Sequence, residues 1–422
     1  MWEILNINGI TFIFSPFRGM ETASVGIFFK TGSRYEPQRL RGIAHFLEHM
    51  LFKGSREYSY KRIKQEIEGR GGTLNGFTSQ EITGYYAHFL NKNLRPTLDI
   101  LLDMVSSPLL NDDDVEKERR VILEEIKMYN DQPSSRVGIL LDELLWENHP
   151  LGDEVIGYAP TVNRITKKDL RDFMFRFYRP GNMVVCCSGD FNRDQVIRLI
   201  QDKISGPRRV TLRAVRPDVL RGIKVKTEQK PLEQSYLCLG FRSSPYSSPD
   251  KFALQLLNVI LGANMSSRLF EEVREKRALC YDVATEVRKY RDSGAFMVHL
   301  GLDKSKIRTA LASILRELQK IKQKNVLVPE LNRAKDYLLG QIIIGLEKPQ
   351  GRMFYMAESF LHFGKIKTLA GIKKDVSGVT ADQIRRVAEK IFDFNSMRAS
   401  CVGALEQDAG ERIKEIIRFH LK

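Results

Sequence analysis

The residues best suited to chemistry lie in one decapeptide, Arg41-Gly42-Ile43-Ala44-His45-Phe46-Leu47-Glu48-His49-Met50. On a helix, His45 and His49 fall about 40° apart, while Ile43, Phe46, Leu47, Met50 and Leu51 form an apolar stripe on the other side. Two imidazoles at that spacing can address one metal ion, and Glu48 stands beside them. A carboxylate there can take a proton from a metal-polarised water without being a ligand itself. The order is H-x-x-E-H, the inverse of the more familiar H-E-x-x-H. Read alone, the same five residues also suit an ordinary helix with two solvated histidines.

A catalytic zinc site takes three protein ligands and keeps one position for water. The stretch Asp112–Ile126 reads as a helix with an acidic first turn, which the helix dipole favours, and with Val115, Ile122, Ile126 and Tyr129 as its apolar stripe. Glu118 and Glu125, seven residues apart, sit together at the edge of that stripe, whereas Glu124 points away. Glu125 is therefore the candidate third ligand. Glu118 is its neighbour, able to hold a ligand histidine in one tautomer. A merely solvated acidic helix fits Glu116 and Glu124 better than it fits Glu118 and Glu125. The expected cofactor is one Zn2+ per chain.

The elements that must position these residues recur twice along the chain. In the first half, a strand at 24–30 leads to helices at 41–53 and 59–69. A hairpin follows at 73–78 and 83–89, then helices at 93–106, 112–129 and 134–146 and a closing strand at 183–189. The second half repeats the order: a strand at 235–241, helices at 249–261 and 266–276, and a hairpin at 281–288 and 294–302. Helices at 303–323 and 329–346 follow, with a closing strand near 398–402. This predicts an α+β fold of two homologous domains, each an antiparallel-rich sheet with helices packed on one face. The expected division is 1–205 for a metal-binding domain, 206–218 for a basic, Pro-containing linker, and 219–422 for the related domain.

A length of 422 residues suits two cores, and 42% hydrophobic with 28% charged residues is a globular composition. Five scattered cysteines without CxxC spacing argue for reduced thiols rather than a disulfide framework or thiolate metal site. The first residues lack a secretory pattern, and no apolar run approaches the ~20 residues of a bilayer span, so a cytoplasmic location away from membranes is expected. The net charge of +15 is spread along the chain without a block of like charges, which argues against a specific nucleic-acid role. His88, His149, His299, His362 and His420 are isolated and read as structural or exposed.

With these residues in hand, the chain resembles the inverzincin metallopeptidases, the group of pitrilysin, insulin-degrading enzyme and mitochondrial processing peptidase, most closely the bacterial processing-peptidase-like members. Their third ligand is a glutamate well downstream; here Glu125 follows His49 by 76 residues. Glu118-Arg119-Arg120-Val121-Ile122-Leu123-Glu124-Glu125 is similar to the family's E-R-x-V-x-x-E-E pattern. Asn75-Gly76-Phe77-Thr78-Ser79 with Glu81 resembles its N-A-x-T-x-x-E edge strand, so the resemblance implies that Asn75, Gly76 and Phe77 bind an extended peptide as an added strand. Ser266–Tyr281 is similar to S-S-R-L-x-x-x-x-R-x-x-x-x-L-x-Y, which implies that Arg274 and Tyr281 hold the substrate backbone and the oxyanion. From the residues alone, Arg274 could equally be a salt-bridging helix residue. Gly76 and Cys280 depart from the small residues usual at their positions.

The resemblance implies hydrolysis of short or unfolded peptides, a composite site drawing on both domains, and a homodimer whose chains each carry both motif sets. Two rival readings keep the sequence and drop the reaction: a silent core or partner subunit of the same fold, and a basic module for acidic polymers.

Overall fold

The computed structural model describes residues 2–204, 210–212 and 214–420. Of the expected linker 206–218, residues 206–209 and 213 lie outside the described residues. The chain divides into two compact units.

The first unit comprises Met1–Lys127, Asp153–Ala214 and Ile344–Ile366. Its sheet contains β1 (Glu3–Ile7), β2 (Ile10–Pro16), β3 (Thr22–Phe29), β4 (Thr73–Thr78), β5 (Thr83–Leu90) and β6 (Met183–Gly189), in the order β1-β2-β6-β3-β5-β4. Only β2 and β6 pair in parallel. Strands β1 and β2 were not among the elements expected. Their signal is Asn8-Gly9, both at positive φ (53° and 88°), as a two-residue hairpin with the right twist demands.

One face of this sheet carries α1 (Ile43–Leu51), α2 (Leu94–Ser106) and α3 (Asp112–Asp131), together with helices Lys167–Phe177 and Arg193–Lys203. Phe12, Phe14, Val25, Ile27 and Phe29 point into that layer. The opposite face is also covered: Met353, Met356 and Ala357 of helix Pro349–Phe363 pack on Ile13, Phe28, Val184 and Cys186. Cover on both sides explains why β6 reads as an apolar run and is buried throughout.

The second unit comprises Met128–Gly152, Val215–Ile343 and Lys367–Lys422. Its sheet holds β7 (Lys224–Gln229), β8 (Ser235–Arg242), β9 (Cys280–Lys289), β10 (Gly294–Leu302) and β11 (Arg398–Gly403), in the order β7-β11-β8-β10-β9. Again one pair, β7 with β11, is parallel. Apart from β1, the two sheets share one topology: first strand, last strand, second strand, then the hairpin in reverse. Helix Pro133–Leu145 covers one face through Val137, Leu140, Leu141 and Leu145. Phe241 and Phe296 on the other face meet the Phe392 ring edge-on. The helix expected at 266–276 is shorter and wound as a π-helix over Phe270–Glu275.

Candidate metal centre

Helix α1 forms because its apolar residues have somewhere to go. Ile43, Ala44, Phe46, Leu47, Met50 and Leu51 are all buried, and this leaves His45, Glu48 and His49 half-buried along the free side. Its entry is Gly42 at φ 96°, where an added Cβ would lie 2.5 Å from the Ile156 carbonyl oxygen, so only glycine fits the turn. Helix α3 buries Val115, Ile122 and Ile126, and turns Glu118 inward with them.

His45, His49 and Glu125 each bring a ligand atom within 4.8 Å of the others, the one such group among the described residues. His45 Nε2 lies 3.9 Å and His49 Nε2 3.7 Å from Glu125 Oε2. These gaps are too long for hydrogen bonds and near the ~3.4 Å edge of a tetrahedron of zinc ligands. His49 Nδ1 faces Glu118 Oε2 at 3.1 Å, and Glu118 Oε1 takes the Lys53 ammonium at 2.5 Å. With the Nδ1 proton donated to Glu118, His49 turns the lone pair of Nε2 toward Glu125 and His45.

The electrostatics agree with a site shaped for a cation. Burial, reinforced by the charge of His49, lowers His45 to about 3, so it is a neutral imidazole at neutral pH. Its Nδ1 is buried without a hydrogen-bond partner. Burial pulls His49 down, but its bond to Glu118 and the charges of Glu48, Glu125 and Glu118 outweigh that and raise it. Burial raises Glu48, against the Thr78 hydrogen bond and His49, with Glu125 adding to the rise. For Glu118, burial is outweighed by the bonds from His49 and Lys53, so it titrates below its usual range. Two imidazoles and a carboxylate with an oriented tautomer suit Zn2+.

Strand β4 is the edge of its sheet and passes beside Glu48. Thr78 Oγ1 donates to Glu48 Oε2 at 2.8 Å. A Cβ on Gly76 would come within 3.1 Å of Glu48 Oε1 and 3.0 Å of the Phe52 ring, so glycine lets the strand approach the carboxylate closely. Phe77 joins an aromatic group with Phe28, Tyr86 and Phe354, while Asn75 is exposed. Thr78 and Lys53 were not singled out as site residues; each acts through a tertiary contact with no sequence periodicity behind it.

In the second unit, Arg274 sits on the π-helix with its guanidinium 4.6 Å from the Phe270 ring and 5.7 Å from the Tyr281 ring. The structure thus brings Arg274 and Tyr281 together. Tyr281, at the start of edge strand β9, is 76% exposed. π-Turns of this kind recur at functional positions.

The family model described as "Insulinase (Peptidase family M16)" matches residues 17–158, and that described as "Peptidase M16 inactive domain" matches 164–338. A zinc protease of Bacillus subtilis, named as uncharacterized, is 31% identical over 388 residues, 91% of this chain and 94% of the relative. The chain belongs to peptidase family M16. A Mycobacterium leprae relative, likewise named an uncharacterized zinc protease, is 33% identical over 91% of this chain and 88% of its own. The solved structure of a protease from Helicobacter pylori shares the M16 fold at a TM-score of 0.90, with 22% identity, over 96% of this chain and 99% of that one. His45, Glu48, His49 and Glu125 all fall inside the first M16 match; Arg274 and Tyr281 fall inside the second.

Proposed function

We propose that this M16 protein is a zinc metalloendopeptidase that hydrolyses short or unfolded peptides bound as an extended strand. The observation that carries the reading is the convergence of His45, His49 and Glu125, with Glu48 beside them and hydrogen-bonded to edge strand β4. His45 Nε2, His49 Nε2 and Glu125 Oε2 would hold one Zn2+ per chain. Bound there, the ion supplies a Lewis acid that acidifies water and polarises a carbonyl.

The protein's own residues do the rest. Glu48 accepts the proton of the attacking water at a carboxylate oxygen and passes it to the leaving amine nitrogen. Its burial favours the protonated form that must exist between those two transfers. Strand β4, through Asn75, Gly76 and Phe77, offers unpaired backbone groups to an extended peptide, which binds whatever its side chains. Glu118 keeps His49 in the ligand tautomer. Arg274 and Tyr281 are assigned as donors to the substrate backbone and the developing oxyanion, a guanidinium and a phenol being suited to that charge. A homodimer in the cytoplasm is the assembly and location this reading expects. No described helix is long and apolar enough to cross a membrane.

The test is metal content by mass spectrometry on wild type, Glu48→Gln and His49→Ala, followed by a quenched-peptide assay on the same samples. Wild type and Glu48→Gln are expected to carry about one zinc per chain, His49→Ala little, and only wild type to cut. A metal-free wild type that cuts nothing replaces this reading with a silent subunit of the same fold, and a Glu48→Gln protein that cuts as well as wild type removes Glu48 as the base.

A further inference from the structure

The segment Gly32–Glu36 touches both working elements of the first unit. At one end it docks on the turn that follows β4. Ser33 N donates to Ser79 O at 3.1 Å, Arg34 N to Gln80 O at 2.9 Å, and Arg34 Nη1 to Glu81 Oε1 at 2.6 Å. Gly32 lies so close that an added Cβ would fall 2.0 Å from Ser79 O. At the other end, Glu36 reaches the start of α1. Its Oε2 accepts from Gly42 N and its Oε1 from Ala44 N, both at 2.8 Å. These are two of the amides that a helix start leaves without an intrahelical partner, and the second immediately precedes His45.

Arg41 locks the arrangement. Its Nη1 donates to Ser33 O at 3.3 Å and to Glu36 O at 3.0 Å, and its Nε pairs with Asp153 at 2.7 Å. Ser33, Arg34, Glu36 and Arg41 are all buried. None of the four is a metal ligand or the proposed base.

We infer that Glu36 is a positioning residue: through Gly42 and Ala44 it sets where α1 begins, and through the Arg34–Glu81 pair the same segment sets where β4 ends. The Glu48 carboxylate and the strand that receives the peptide are thereby held in one register, which the Thr78–Glu48 hydrogen bond reads out. This inference rests on the peptidase reading. A displacement of about 1 Å between a base and its substrate costs on the order of 10²-fold in rate, so such a brace acts on turnover more than on binding.

The experiment compares Glu36→Ala, Glu36→Asp and Glu36→Gln with wild type in kcat, KM, zinc content and amide exchange over residues 42–46. Glu36→Ala is expected to keep its zinc and a KM within about two-fold, while kcat falls about 10²-fold and the 42–46 amides exchange faster. Glu36→Gln, which keeps one carbonyl acceptor for the two amides and turns an NH2 toward the other, recovers part of kcat. Glu36→Asp, one methylene short, does not, and it serves if the alanine protein does not fold. Unchanged kcat and exchange in Glu36→Ala and Glu36→Asp overturn the inference, as does a rate loss that merely follows zinc loss. If wild type cuts nothing, the peptidase reading fails separately, and unchanged exchange at 42–46 still overturns the role of Glu36.

Discussion

The two units share a strand order and differ in what they do with the first α-helix after β3 in one and after β8 in the other. In the first unit this is α1, Ile43–Leu51, with His45, Glu48 and His49 along its free side. In the second it is Lys251–Leu261, whose residues Leu254, Leu256, Leu257, Val259, Ile260 and Leu261 are buried and which carries no histidine, glutamate or aspartate. The second unit has no ligand cluster among the described residues. Instead it exposes Tyr281 beside Arg274, on the edge strand that corresponds to β4. The shared scaffold therefore does not fix what is mounted on it: the first unit carries its titratable cluster on the helix that follows β3, while the second exposes Arg274 and Tyr281 one helix later, at its edge strand.

That contrast can be broken or sharpened in order of effect. Glu48→Gln should lower kcat/KM by about 10³-fold with zinc retained, since it removes only proton transfer; peptide cleavage alongside metal analysis checks this. Trp146→Ala is the matching insult to the other unit. Trp146 is buried, donates to Ser293 Oγ at 3.1 Å and meets Tyr290 edge-on. Its loss should cost about 3 kcal/mol in denaturant unfolding while leaving zinc affinity alone; a loss of zinc would show the metal centre depends on the second core. Tyr281→Phe, which keeps the ring and deletes the donor, should reduce kcat by about 10²-fold with no change in melting temperature.

The smallest effect concerns pH. Burial, against the Ala44, Gly42 and Arg41 contacts and with Asp153 nearby, raises Glu36 from 4.5 to about 8. The folded protein then holds a proton that the unfolded chain releases between those values. Stability should accordingly decline as pH rises from about 4.5 to about 8. Melting curves across that window should slope less in Glu36→Gln, and an equal slope would remove Glu36 as its source.

Much of the candidate metal centre was legible because its residues ride on helical periodicity. The stripe of α1 separated His45 and His49 from the core, and that of α3 separated Glu125 and Glu118 from Glu124. The paired-sheet, α+β organisation was legible for the same reason, in repeated strand, helix and hairpin patterns. The rest depends largely on tertiary contact or on a single turn. The β1–β2 hairpin is signalled only by the dipeptide Asn8-Gly9. Strand β7 reads as Lys-Val-Lys-Thr-Glu-Gln, too polar to stand out. Glu36 lies in no periodic element, and only the folded chain brings it to Gly42 and Ala44. Helix Pro133–Leu145 was expected at 134–146 and helix Pro349–Phe363 was not expected, and neither pattern says which sheet face it covers.

That last feature bears on how the protein is made. Helix Pro349–Phe363, which covers the face of the first sheet opposite α1, is synthesised 160 residues after the last strand of that sheet, β6, ends at Gly189. Until it emerges from the ribosome, Ile13, Phe28, Val184 and Cys186 face water on a nascent sheet that is otherwise complete. The first-born half of the chain thus waits, unsealed, for the second, and a chain cut short before Pro349 leaves an apolar face for chaperones, or for other chains, to find.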